Sequence, residues 1–165
     1  MSTKFKDYFS DGSEAYSASR LRYPKELFSY LSSLTQSQER AWDCATESDQ
    51  SALALSEYFS EVIATDASEN QIENAIKKDG VTYHVEKAEK TLIENNFVNL
   101  VTVAQALHRF NIKGFSNEVI RVLMTKSVLA VWSYGLLEID PRINKEINNL
   151  YSSTLGTYWP PERTF

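Results

Sequence analysis

Two acidic residues frame a candidate ligand site, and the second stands where a chain can hold a sugar. Asp43 lies in the apolar run Ala41-Trp-Asp-Cys44, and Asp66 closes the run Glu61-Val-Ile-Ala-Thr-Asp66. An acid ending the second strand of a βαβ unit accepts hydrogen bonds from ribose hydroxyls, while the turn after the first strand meets the ligand through its backbone. That turn normally carries glycine, because φ must turn positive and the main chain must come close. Here it reads Asp43-Cys-Ala-Thr-Glu-Ser-Asp49, with no glycine before Gln50. Glu47, Ser48 and Asp49 are suited instead to cap a helix beginning near Gln50, since acids complement the positive end of the helix dipole.

Other residues offer chemistry more loosely. His108 follows an apolar run and could serve as general base or hydrogen-bond donor, although a histidine starting a helix is as readily a structural one. Arg20 and Arg22, set among Tyr16 and Tyr23, could clamp a carboxylate bidentately, or make surface and lid contacts. His84 alternates outward on a strand. Two histidines and one cysteine, Cys44, give no metal-ligand spacing, so no metal site is expected. Nor is there a Ser-His-Asp arrangement.

The elements that must position these residues follow from periodicity. Residues 25–34 after Pro24 read as a helix, with Leu27, Phe28, Leu31 and Leu34 on one face. Strands are expected at 41–44, 61–66, 81–85, 97–104 and 128–132, and the continuous apolar run at 97–104 suits a central strand covered on both faces. Helices are expected over 50–59, from the capping box Ser68-Glu-Asn-Gln71 to about residue 77, over 115–123, and from Asp140-Pro141 to about 155. Strands alternating with helices define an α/β fold with a mostly parallel sheet and a ligand crevice beyond the carboxyl ends of strands one and four.

Composition narrows the function. A chain of 165 residues with 42% apolar and 24% charged residues suits one soluble domain. A net charge of −5 argues against nucleic acid or an anionic membrane as main partner. The single cysteine, the absence of an apolar leader in Met1-Ser-Thr-Lys-Phe-Lys-Asp7 and the lack of a membrane-length apolar run make the cytoplasm the expected compartment.

Several segments resemble, in order, the class I S-adenosylmethionine-dependent methyltransferases, close to the small-molecule branch that includes trans-aconitate methyltransferase-like proteins. Tyr16-Ser-Ala-Ser-Arg-Leu-Arg-Tyr-Pro24 resembles that family's Tyr-x3-Arg-Pro-x-Tyr-Pro lead-in, with Leu21 where proline is usual. Ala41-Trp-Asp-Cys44 and Val62-Ile-Ala-Thr-Asp-Ala-Ser68 resemble its first two strands, Ala88-Glu89 the pair beside the adenine, and Val101-Thr-Val-Ala-Gln-Ala-Leu-His-Arg-Phe110 its Ala-x-Ala-x-His-Trp-Phe segment. Val122-Leu123 with Val128-Leu-Ala-Val-Trp132 resembles the helix and strand around its Pro-Gly-Gly turn, which here reads Thr125-Lys126-Ser127. In the family's Asp-x-Gly-x-Gly-x-Gly loop, this chain has Ala45, Glu47 and Asp49 at the glycine positions.

The resemblance implies a three-layer Rossmann-like fold of order 3-2-1-4-5 lacking the last strands. It divides into a lid and helix at 1–35, a cofactor core at 36–135, and a C-terminal helix and tail at 136–165. It implies S-adenosylmethionine held by Asp43, Ala45, Asp66, Ala67, Ala88, Glu89 and Gln105, with Ala104 beside Gln105. A small-molecule methyl acceptor, carboxylate-bearing in this reading, would meet Tyr16, Arg20, Arg22 and His108. The altered loop supports a second reading, a non-catalytic relative kept as a binding or scaffold module, because side chains at 45, 47 and 49 would strain the turn and crowd the cofactor. A fifth strand at the sheet edge would be covered by the C-terminal tail or by a second subunit in a homodimer.

Overall fold

The computed structural model describes residues 23–47 and 49–158. These fall into two compact units that divide between Val131 and Trp132. The first begins with helix α1 (Lys25–Ser33), which buries Phe28 and Leu31 and follows Pro24 at its cap. Strand β1 (Arg40–Cys44), helix α2 (Gln50–Leu55), strand β2 (Glu61–Asp66), helix α3 (Glu69–Glu73) and strand β3 (Val81–Val85) come next. Strand β4 (Val98–Ala104), a 3-10 turn at Leu107–Arg109, helix α4 (Ile112–Val122) and strand β5 (Leu123–Trp132) complete it. The second unit carries helix α5 (Pro141–Asn148), a wider π-type turn at Asn149–Thr154 and a 3-10 turn at Gly156–Tyr158.

The five strands order as β3-β2-β1-β4-β5, as expected. The pairs β1/β2, β1/β4 and β2/β3 are parallel, with Asp43 opposite both Ala64 and Thr102. Their crossovers set helices on the sheet, and the side chains between form the core. Trp42 is fully buried there, and its indole N–H donates to Thr65 Oγ1 at 2.8 Å. Its ring lies 6.3 Å from that of Phe115 on α4, so the central strand and the helix after β4 share one apolar cluster. The continuous run at β4 is buried from Val98 to Val103, whereas β5 alternates between exposed and half-buried residues. That contrast follows from position: β4 lies inside the sheet and β5 at its edge.

Some boundaries differ from the periodicity. Helix α2 stops at Leu55 rather than 59, yet Phe59 is still buried through a turn. Helix α3 stops at Glu73 rather than near 77, where the Asn74 side chain turns back onto the Asn70 carbonyl at 2.8 Å. Helix α4 begins at Ile112, because Asn111 caps it by accepting from the Gly114 N–H. Strand β5 begins at Leu123 and absorbs Thr125, Lys126 and Ser127, expected as a turn; the kink survives only as a positive φ of 63° at Lys126. An edge strand half in solvent tolerates such a polar stretch, which a buried strand would not.

Candidate functional site

The carboxyl ends of β1 and β4 meet at an open cleft lined by Tyr23, Asp43, Ala45, Thr46, Glu47, Gln50, Ser51 and Ala104. The turn that forms its floor has left-handed backbone at Ala45 (φ 57°), Glu47 (φ 47°) and Asp49 (φ 60°). These are the three positions where glycine was expected. The turn has the glycine conformation without glycine. Each non-glycine residue held there costs roughly 1–2 kcal/mol, so the turn stores about 3–6 kcal/mol unless other contacts offset it.

The offsetting contacts come from distant chain. The Thr46 N–H donates to the Thr65 carbonyl at 3.0 Å, and the Glu47 N–H donates to Asp66 Oδ2 at 3.1 Å. Asp66 Oδ1 accepts from the Ser68 N–H at 2.9 Å, so one carboxylate ties the turn after β1 to the turn after β2. Thr46 Oγ1 donates to Asp43 Oδ2 and Thr102 Oγ1 to Asp43 Oδ1, both at 2.7 Å. Asp43 thereby fastens the same turn to β4.

Burial sets the electrostatics. Asp43 is 1% exposed, and desolvation pushes its carboxyl up to about 6 against the two hydroxyl bonds that favour its charge. Asp66 is also raised by burial, with its two backbone bonds and the Arg109 charge working the other way. Burial likewise lifts Asp49 to about 6.

The capping role expected of Asp49 is not what the structure shows. At φ 60° its side chain cannot fold back onto the first turn of α2 and makes no cap bond. Asp49 Oδ2 instead accepts from the Ile76 N–H at 2.8 Å, pinning the connection between α3 and β3. The expected crowding is therefore reduced: Ala45 and Glu47 line the cleft, and Asp49 does not. Ser68 takes the N-cap position of α3 without a side-chain cap bond, so the capping box is not formed as read. Ser48, like Tyr16, Arg20 and Arg22, lies outside the described residues.

The remaining expected residues are distributed around this turn. Ala67 sits half-buried between Asp66 and Ser68. Ala88 is buried, and Glu89 Oε1 accepts from the Asn111 N–H at 2.8 Å. Gln105, just past β4, has φ 58°, and its Nε2 is buried without an acceptor among the described residues. His108 is exposed in the turn after it. Among the described residues no group of histidine, cysteine and carboxylates could hold a metal. No helix there is long and apolar enough to cross a membrane.

Sequence reasoning missed Thr46, Thr102, Gln50 and Arg109. Thr102 was legible only as one more residue of an apolar run, and it faces Asp43 solely through strand register. Gln50 lines the cleft with an Oε1 that is buried and has no partner among the described residues.

An open parallel sheet of order 3-2-1-4-5, with a turn of glycine-like geometry and an acid at the end of β2, is the architecture of a class I methyltransferase. Residues 42–131 match the family described as a methyltransferase domain. The chain belongs to that family. A candidate methyltransferase of Dictyostelium discoideum is 38% identical over 167 aligned positions, covering 99% of this chain and 64% of its own length. The structure of a candidate type II methyltransferase from Anaeromyxobacter dehalogenans is also 38% identical, with a TM-score of 0.78 over 88% of this chain and 62% of its own. This chain thus spans less than two thirds of the length of either relative. A candidate S-adenosylmethionine-dependent methyltransferase from Methanococcus maripaludis shares the fold, at 15% identity and a TM-score of 0.69 over 96% of this chain and 78% of its own.

The family implies S-adenosylmethionine, and two observations show that the residues present fit it. The backbone of the turn keeps the conformation that lets main chain approach a ligand, although no glycine is there. Gln50 Oε1 and Gln105 Nε2, an acceptor and a donor, are buried beside the turn and beyond β4 with no partner among the described residues. An amino-acid terminus carrying an ammonium and a carboxylate is the chemistry that such a pair satisfies.

Proposed function

We propose that this chain is the cofactor-binding part of an S-adenosylmethionine-dependent methyltransferase that acts on a small, carboxylate-bearing molecule. The observation that carries the reading is the retained left-handed geometry at Ala45, Glu47 and Asp49. Side chains at these positions cost stability, and the conformation they hold is the one that lets main chain come close to a ligand.

In this reading Asp66 accepts ribose hydroxyls on lone pairs left over from its two backbone bonds, with Ala67 beside it. Ala88 packs against the adenine, and Glu89 holds that loop in place. Asp43 stays buried and shapes the turn through Thr46 and Thr102. Gln105 and Gln50 orient the amino-acid end, and Ala45 keeps its floor narrow. Bound S-adenosylmethionine supplies an electrophilic methyl group on its sulfonium. A carboxylate acceptor needs no base; it needs in-line approach and exclusion of water. Arg20 and Arg22 would clamp the acceptor with Tyr16 over it, as the resembling lead-in implies. His108, exposed beyond β4, would donate a hydrogen bond to the acceptor or hold its proton when the acceptor is neutral.

Calorimetric titration with S-adenosylmethionine and S-adenosylhomocysteine tests this. The expected result is micromolar binding, weakened at least about tenfold in Asp66→Asn, the loss of one good hydrogen bond to a charged acceptor. A folded protein that gives no heat with either ligand at millimolar concentration would sink the reading. His108→Asn is then the variant to assay with acceptors, with kcat expected to fall at least about 100-fold only for those that must lose a proton.

A further inference from the structure

The loop between β3 and β4 and helix α4 are joined at both ends of the helix. At the amino end, the Asn111 side chain accepts from the Gly114 N–H at 2.9 Å while its own N–H donates to Glu89 Oε1 at 2.8 Å. Gly114 makes room for this. A Cβ there would lie 2.9 Å from Glu89 Cγ, closer than carbon atoms approach, and a tight 3.1 Å from Glu89 Cβ. The Glu89 carboxylate also meets the positive end of an 11-residue helix, where a negative charge is favoured. At the carboxyl end, Glu118 Oε1 accepts from Thr91 N at 2.6 Å and Thr91 Oγ1 at 2.7 Å, and Arg121 donates to the Ile93 carbonyl at 2.6 Å. Between these ends, Ala88 and Ile93 of the loop share an apolar cluster with Ala106, Phe115 and Val119, and Leu107 and Phe110 pack against it.

We propose that Glu89 is a positioning residue: by holding the Asn111 N–H across Gly114, it couples the loop at 86–97 to the turn Leu107–Arg109 that carries His108. The inference rests on the reading that Ala88 meets the cofactor's adenine. Ala88 and Glu89 are consecutive, so a ligand that fixes one fixes the other. Glu89 then fixes Asn111, and the chain between Gln105 and Asn111 has only the turn in which to respond. Occupancy on the cofactor side thus sets the geometry on the acceptor side. Linkage makes the effect reciprocal: an acceptor held at the turn strengthens cofactor binding by the same factor.

Hydrogen exchange on the whole chain, with and without S-adenosylhomocysteine, tests it in the wild type, Glu89→Gln, Glu89→Ala and Gly114→Ala. In the wild type the ligand should slow exchange over 107–115 by about tenfold, a coupling of ordinary allosteric size. Gly114→Ala replaces a poor helix former with the best one and so should preserve α4. It should nevertheless abolish the ligand-dependent protection, because its Cβ displaces Glu89. Glu89→Ala should abolish it too, and Glu89→Gln, which keeps the acceptor oxygen, should retain part. Protection that persists in Gly114→Ala and Glu89→Ala with ligand still bound would overturn the proposal. A wild type that gives no titration heat would instead defeat the cofactor reading. The ligand-free comparison then decides the positioning role: faster exchange at 111–115 in Glu89→Ala supports it, and unchanged exchange overturns it.

Discussion

Restoring a glycine to the turn after β1 should stabilise a protein that most glycine substitutions would weaken. Ala45 is the cleanest site, since its side chain is a methyl group with no polar contact and its φ is 57°. Left-handed backbone costs an L-residue with a Cβ roughly 1–2 kcal/mol that glycine does not incur. Glycine in turn gives the unfolded chain more freedom, worth roughly 0.5–1 kcal/mol in the opposite direction. The difference is a gain of about 0–1.5 kcal/mol for Ala45→Gly, which for a chain of this size raises Tm by up to about 6 °C. Ala52→Gly supplies the control. Ala52 is fully buried in helix α2, where glycine loses helix propensity and a packed methyl group, so about 1–2 kcal/mol should be lost. Urea unfolding of the two variants beside the wild type decides the matter, and their shifts should have opposite signs. An Ala45→Gly protein destabilised as much as Ala52→Gly would show that the turn is not left-handed in solution, and the argument that the glycine geometry persists would fall.

Stability should also peak in mildly acid solution. Burial raises Asp43 and Asp49 from 3.8 to about 6, so between these values the folded chain binds more protons than the unfolded one, and stability falls as pH rises through 6. Asp43 alone accounts for about 3 kcal/mol of that decline. Glu118, held by Arg121 at about 2 instead of 4.5, works oppositely: its contribution is complete above 4.5 and is lost as pH falls toward 2. Two raised carboxyls outweigh the one lowered carboxyl above pH 4, so the expected maximum lies at about pH 3.5–4. Asp43→Asn should flatten the limb on the neutral side, and stability still rising from pH 5 to 7 in the wild type would contradict the assignment. Thr102→Val preserves shape and removes the 2.7 Å donor to Asp43, so unfolding free energy should drop by about 1.5–3 kcal/mol at neutral pH. A neutral outcome would mean that water replaces the hydroxyl.

Much of the architecture could be read from local pattern. Strand β3 appears at Val81–Val85 as its alternation suggests, and the apolar run around β4 is the buried strand it resembles. Both signals are carried by the side chains of the element itself. Boundaries failed where the deciding partner was elsewhere or where two local signals competed. The polar triplet at 125–127 reads as a turn until β5 is seen to lie at the sheet edge. Asn111 and Gly114 place the start of α4 three residues before the first periodic apolar position at Phe115.

The acid at the end of β2, the helix and strand order and the six-segment resemblance are properties of the chain alone, because periodicity and spacing are one-dimensional. The state of the turn at 43–49 is not. Ala, Glu and Asp each prefer negative φ, so propensity predicts that a turn without glycine lacks the geometry. The tertiary structure decides otherwise through Thr65, Asp66 and Thr102, which reach that turn only after β1, β2 and β4 are aligned in register. A few long-range hydrogen bonds in a dry setting outweigh a local preference of one or two kcal/mol per residue. Local preference is written in the sequence; which distant donor arrives to oppose it is settled only by the packed sheet.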